Sequence, residues 1–312
     1  AEEIEKLNWA RELVISRNPD RFNVHPHREL GTDNVNIPHD LSKFEQYNDD
    51  TGLAALIVHE VAHTADKTMP DSSYGGDGNH TFNEVTTENM AFIEGWAIYN
   101  QALVNPRDRE RLFETYKNIS HENANSTVDN PSYVMHFGGV SFEDRVATEG
   151  IVAATLVSID DNGKNREALH NSFKATNGET SSTFDMLDHY IANASPAEAK
   201  RAIMMIDLNT QFTADESFFD KYGEAGKAYL AERAELEKRW VRCKHHGCSL
   251  ERFIQGLNDP ANFPLDEFDK PIPEGESYTA ADGSFIMSVK GSSDGKEPLE
   301  DMDLLDTPES EE

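Results

Sequence analysis

From Thr51 the chain reads GLAALIVHEVAHTADK, an apolar run with its polar residues at helical spacing, and this predicts a strong helix over about 52–67. A second long helix is predicted over about 83–104, ending near Pro106, and a third over 107–118. Between the first two lies a loop at 69–82, MPDSSYGGDGNHTF, dense in Gly, Asp and Ser. A polar loop at 121–132 precedes a stretch whose later half reads as a buried helix, closed by residues 160–163. Helices are expected through most of 165–257, including a charged one at 224–243. At the N-terminal end, residues 3–17 read as a short amphipathic helix, and 22–24 and 35–37 as short extended pieces, enough for a small sheet. After 258 the pattern changes: 258–275 is rich in Pro, Asp and Glu, and 277–290 reads as a β-hairpin turning at Asp282-Gly283. Residues 291–312 hold nine acidic side chains and little that could pack, and are expected to be disordered. The expected organisation is therefore a domain over 1–257 and an acidic linker, hairpin and tail over 258–312.

Composition narrows the partners. The 312 residues hold 58 Asp and Glu against 28 Lys and Arg, a net charge of −30. So acidic a chain repels phosphate backbones and anionic membrane surfaces, which argues against nucleic acid and against membrane binding. No apolar run reaches membrane-spanning length, and two cysteines are too few for a disulfide framework or a cysteine-rich zinc fold. The chain starts Ala-Glu-Glu with no leader pattern, the start expected of a processed or recombinant piece or of a chain that has lost its Met.

The candidate chemistry sits in the first strong helix. His59-Glu60-Val61-Ala62-His63 is an H-E-x-x-H motif. One helical turn separates the two histidines, so both imidazoles can reach one zinc ion. Glu60 beside them is placed to take a proton from a water on that metal. Position 69, where a third histidine stands in the metzincin pattern, is Met69. The second helix offers Glu84, Glu88 and Glu94 instead. Glu94 lies among Ala91, Phe92, Trp96 and Ala97, where an acid is costly unless paired or metal-bound, and Gly95 after it permits close helix approach. Glu84 and Glu94 point about 80° apart around one helix, so they do not comfortably face the same ion. Glu84 near a helix start is favoured by the dipole without any metal. The expected ligands are His59, His63 and Glu94, with one Zn2+ per chain and an open position for water.

HEVAH followed by EGWA resembles the gluzincin metallopeptidases, distantly the aminopeptidase N family. Residues 75–80 (GGDGNH), 93–97 (IEGWA) and 152–161 (VAATLVSIDD) are similar to segments of poorly characterised, mostly secreted bacterial zincins. The likeness covers about 50–160. Departures are Ala62 where those proteins have Gly and Val157-Ser158 where they have Trp-Asp. A rival likeness exists: Asn83-Glu84 with Glu88 is similar to the N-E-x-x-x-D of the thermolysin family, which would make Glu84 the ligand. The resemblance implies an α+β, mainly helical, zincin-like domain with a small sheet and a helical C-terminal subdomain. It implies a secreted or periplasmic zinc hydrolase acting on peptide or protein substrates, with Glu60 as general base. The alternatives are a retired zincin scaffold that binds without cleaving, and a hydrolase of a non-peptide amide.

Supporting roles are assigned more loosely. Asp66 is placed to orient a ligand imidazole. His136, Tyr133, Tyr99 and Arg145 are candidate oxyanion donors, with His136 before Gly138-Gly139 favoured. Arg145 and Glu149, four apart, also read as a salt bridge on one helix. The stretch 160–163, Asp-Asp-Asn-Gly, has calcium-loop character but lacks the terminal bidentate Glu, and a plain turn accounts for it. Cys243 and Cys248 are close enough to form a disulfide in a secreted protein.

Overall fold

The computed structural model describes residues 14–18, 27–28, 34–38, 50–65, 81–119, 140–176, 182–270, 277–279 and 285–287. The described chain is mainly helical, as expected. Its strands lie toward the two ends. Strand β1 (Val14–Asn18) pairs in parallel with β3 (Asn34–Pro38), Ile15 opposite Val35. The short β2 (His27–Arg28) pairs antiparallel on the other side of β3. The helix expected over 3–17 is corrected in its last part: 14–17 belong to β1, where the β-branched pair Val14-Ile15 suits an extended backbone. Residues 3–13 and the extended piece at 22–24 lie outside the described residues, whereas 35–37 fall inside β3.

Helix α1 (Asp50–Ala65) carries the H-E-x-x-H motif and packs on α2 (Glu88–Ala102). The second helix starts five residues later than its pattern suggests. Thr87 has an extended backbone and its side chain accepts from the Met90 amide, a side-chain N-cap. Before it, Val85 bridges to Thr148 and the Thr86 amide donates to the Ala147 carbonyl at 2.8 Å. Residues 83–87 are thus pinned to the segment before α5 instead of opening the helix. Next come α3 (Pro106–Leu112), a 3₁₀ turn (Thr115–Lys117) and the short α4 (Phe142–Val146). The helix expected over 107–118 is therefore two pieces.

The buried centre is the packing of α2 on α5 (Glu149–Asp160), every residue of which is buried. A β-carbon at Gly95 would stand 2.6 Å from Val152 Cγ1 and 3.0 Å from the Glu149 carbonyl, so only glycine permits this approach. Around this pair pack α6 (Arg166–Thr176), α7 (Thr183–Asn193), α8 (Pro196–Asn209), α9 (Glu216–Asp220), α10 (Gly223–His245) and α11 (Leu250–Asn258). Trp96 of α2 stacks on Phe173 of α6 at 4.1 Å and 11°. Asp207 of α8 is buried, accepting from Tyr229 and Arg233 of α10 at 2.7 Å each. The chain stays on this body after Asn258: Leu265 is buried against Gly256, and Asp269 pairs with Arg239 and Arg242 at 3.2 and 2.6 Å. The boundary expected at 258 therefore falls within a packed region that runs to residue 270. Strands β4 (Ser277–Thr279) and β5 (Phe285–Met287) pair antiparallel, Ser277 opposite Met287, a register centred on residue 282 as the hairpin reading requires. Residues 291–312 lie outside the described residues.

Candidate metal centre

The apolar face of α1 (Ala55, Leu56, Val58, Ala62) is buried, and this sets the motif residues at the seam with α2. His63 and Glu60 are each 6% exposed and Glu94 9%. Both imidazole Nε2 atoms lie 3.4 Å from the same carboxylate oxygen of Glu94. They lie 3.1 Å from each other, with the rings edge to face. Ligand atoms about 2.0–2.1 Å from a tetrahedral ion stand about 3.4 Å apart, so this triangle has the edge lengths of one face of such a site. His59, His63 and Glu94 are the group among the described residues that could hold a metal ion. Burial alone would push the Glu94 carboxyl up. The His63 charge, with hydrogen bonding from His59 and His63, outweighs burial and holds it well below the usual carboxylate range. Beside the two imidazoles the Glu94 carboxyl is thus held in its anionic form.

Glu60 belongs to the same turn, next to His59. It is buried, yet its carboxylate makes no hydrogen bond or ion pair among the described residues. A carboxylate in such a place is available to an incoming proton donor rather than committed to the scaffold. Glu84, the rival ligand, stands outside the triangle: it precedes α2, and its Oε2 accepts from the Thr81 amide at 3.2 Å. Glu88 is in the first turn of α2 and also outside the triangle.

The oxyanion candidates divide. His136 and Tyr133, and the imidazole-orienting candidate Asp66, lie outside the described residues. Tyr99 is fully buried and donates to Asp160 at 3.1 Å, so its hydroxyl proton is already committed. Arg145 is 3% exposed, and its Nε donates to the Val140 carbonyl at 3.3 Å. The reading of Arg145 and Glu149 as a salt bridge on one helix is corrected: Ala147 and Thr148 separate α4 from α5, so the four-residue spacing does not place them on one face. The calcium reading of 160–163 also gives way. Asp160 accepts from Tyr99, from the Gly163 amide at 2.8 Å and from Arg166, while Lys164 and Arg201 stand at Asp161. These carboxylates are matched to protein cations, and Asp161 and Asn162 at φ 50° and 57° form the left-handed end of α5. The Cys243–Cys248 disulfide is present, closing the end of α10 with Cα atoms 4.9 Å apart.

Comparison with protein-family models, with curated proteins and with solved structures finds no match. The site therefore stands on its own geometry. Two supporting positions have no sequence signal of their own, Val152 and Glu149 of α5, which set how near α2 can come. Gly95, directly after the ligand, is the mark they leave in the sequence.

Proposed function

We propose that the chain is a zinc-dependent metallopeptidase of zincin type. The observation that carries this reading is the convergence of His59, His63 and Glu94 on a common point, with the uncommitted carboxylate of Glu60 in the same helical turn. Two imidazoles and one carboxylate are a donor set suited to zinc in a catalytic site that keeps one position open. A zinc ion held there supplies Lewis acidity to a water and to a carbonyl. Glu60 accepts the water's proton on its carboxylate and returns it to the departing amine. Glu94 keeps its negative charge, and the α2–α5 packing at Gly95 holds it facing the two histidines. The Cys243–Cys248 disulfide supports an oxidising compartment, either secreted or periplasmic.

The test is a digest of a peptide library read by mass spectrometry, run with the wild type and with Glu60→Gln. The wild type is expected to cleave. The variant is expected to lose at least ~10²-fold in turnover while retaining its metal, since it keeps the shape and removes the base. An intact wild-type digest in the presence of zinc would overturn the peptidase reading, and metal loss in Glu60→Gln would make Glu60 a structural residue.

A further inference from the structure

The two helices of the centre lie in a stretch of chain nearly free of basic residues. From residue 44 to residue 106, which spans α1 and the whole of α2, there are ten acids, and Lys67 is the one lysine or arginine. The other 249 residues hold 48 acids and 27 lysines and arginines. Acids are therefore nearly as frequent in this segment as elsewhere, about one residue in six against about one in five, whereas cations fall from about one in nine to one in 63. Burial of the two helices does not account for this, because an apolar environment disfavours both signs of charge. The depletion is of one sign, on the segment that carries the candidate centre.

Two of the ten acids belong to the centre: Glu94 faces the imidazoles and Glu60 stands in the same turn as His59. A divalent ion offsets that pair. The remaining eight acids against Lys67 leave a net −7 over the segment. Glu88 is exposed in the first turn of α2, six residues before Glu94, about 9 Å along the helix at about 1.5 Å per residue. Asp50 opens α1, nine residues before His59, about 13 Å along its helix. The Debye length is about 10 Å at about 0.1 M salt, so charges at such distances act on a substrate approaching the metal. A surface of one sign raises the local concentration of oppositely charged ligands and speeds their encounter. On the metallopeptidase reading, on which this inference rests, we propose that the preferred substrates are cationic peptides, bearing lysine or arginine on either side of the scissile bond. Along the segment an acidic peptide meets repulsion and finds Lys67 alone to pair with.

The experiment uses the metal-loaded, full-length protein and three synthetic peptides. They share one core cleaved in the library digest and differ in flanks of lysine, serine or glutamate. The expected kcat/KM is highest for the lysine flanks and lowest for the glutamate flanks, roughly tenfold or more apart at low salt. The difference is expected in KM more than in kcat. It should shrink toward unity between about 0.01 M and about 1 M sodium chloride, as the Debye length falls from about 30 Å to about 3 Å. Glu88→Gln, Asp71→Asn and Asp77→Asn combined in one variant are expected to narrow the low-salt difference severalfold while cleavage of the serine-flanked peptide is retained. Should that variant lose the serine-flanked cleavage as well, the wild-type salt series decides. Equal cleavage of the three peptides overturns the charge preference and leaves the peptidase reading standing. A preference for lysine flanks that persists undiminished at high salt overturns it too, since a contact pocket rather than the charge of the segment would then select the substrate. A library digest that yields no cleaved core removes the peptidase reading itself, and this inference with it.

Discussion

Residue identity at the centre is decided by what else each carboxylate is doing. Glu94 is buried, faces two imidazoles and has no capping task, so its presence among Phe92, Ile93 and Trp96 is costly without a cation. Glu84 has a local task, accepting from the Thr81 amide. Glu94→Ala is therefore expected to strip the metal and any activity with it, and Glu84→Ala to keep most of both. Metal analysis of the two purified variants decides the assignment, and a metal-free Glu84→Ala beside a metal-loaded Glu94→Ala would reverse it. Lys244 offers a test by pH. Its ammonium is lowered to about 8 in the folded chain, so between about 8 and the ordinary lysine value the unfolded chain holds a proton that the folded chain has released. The cost of keeping Lys244 charged is thus fully present at neutral pH and is relieved as pH rises. The melting temperature of Lys244→Met minus that of the wild type is expected to fall steadily from pH 7 to pH 10. A difference that stays constant or grows would mean that Lys244 is not depressed by burial and its neighbours.

At the scale of elements, what holds the triangle together is helix α2 lodged against α5. A β-carbon at position 95 would stand 2.6 Å from Val152 Cγ1, inside any real contact. Gly95→Ala is expected to destabilise by about 1–3 kcal/mol through overpacking and to lower metal affinity by shifting Glu94. Val152→Ala in the same chain opens space at that contact and is expected to recover part of both losses. Denaturant unfolding and metal titration of the single and double variants check this, and additive losses in the double variant would show that the two positions do not act through one contact. The elements that could be foreseen are those whose pattern is local. Helix α1 is legible from its apolar run, α10 from its length and charge, and the hairpin from the alternation on either side of Asp282-Gly283. The start of α2 is not, because residues 84–87 are held by Ala147 and Thr148, some sixty positions further on, and helix periodicity carries no trace of such a partner. The same holds for 14–17, where β-branched residues read as an amphipathic helix but find a partner strand in β3. Within the site, His59, Glu60 and His63 are legible because one helix sets their spacing. Glu94 needs an argument from burial and the adjoining glycine. The spacing of Arg145 and Glu149 misleads because it implies a continuous helix, which the chain breaks at Ala147 and Thr148.

Across the whole molecule, charge is the influence that no single contact reveals. A net charge of −30 over 312 residues makes the folded state repel itself, and that repulsion is screened by salt. Among the described residues no helix is long and apolar enough to cross a membrane. Residues 291–312 account for nine acids and one lysine, a net −8, leaving −22 on residues 1–290. Salt and truncation separate the contributions. Raising sodium chloride from low to moderate concentration is expected to raise the melting temperature of the full chain. Deleting 291–312 is expected to leave metal content unchanged and, at low salt, to hold or slightly raise the melting temperature, because it removes charge while sparing the packed body that ends near residue 270. The salt response of the shortened chain should then be the smaller of the two. If deletion instead lowers the melting temperature, the acidic tail is making stabilising contacts.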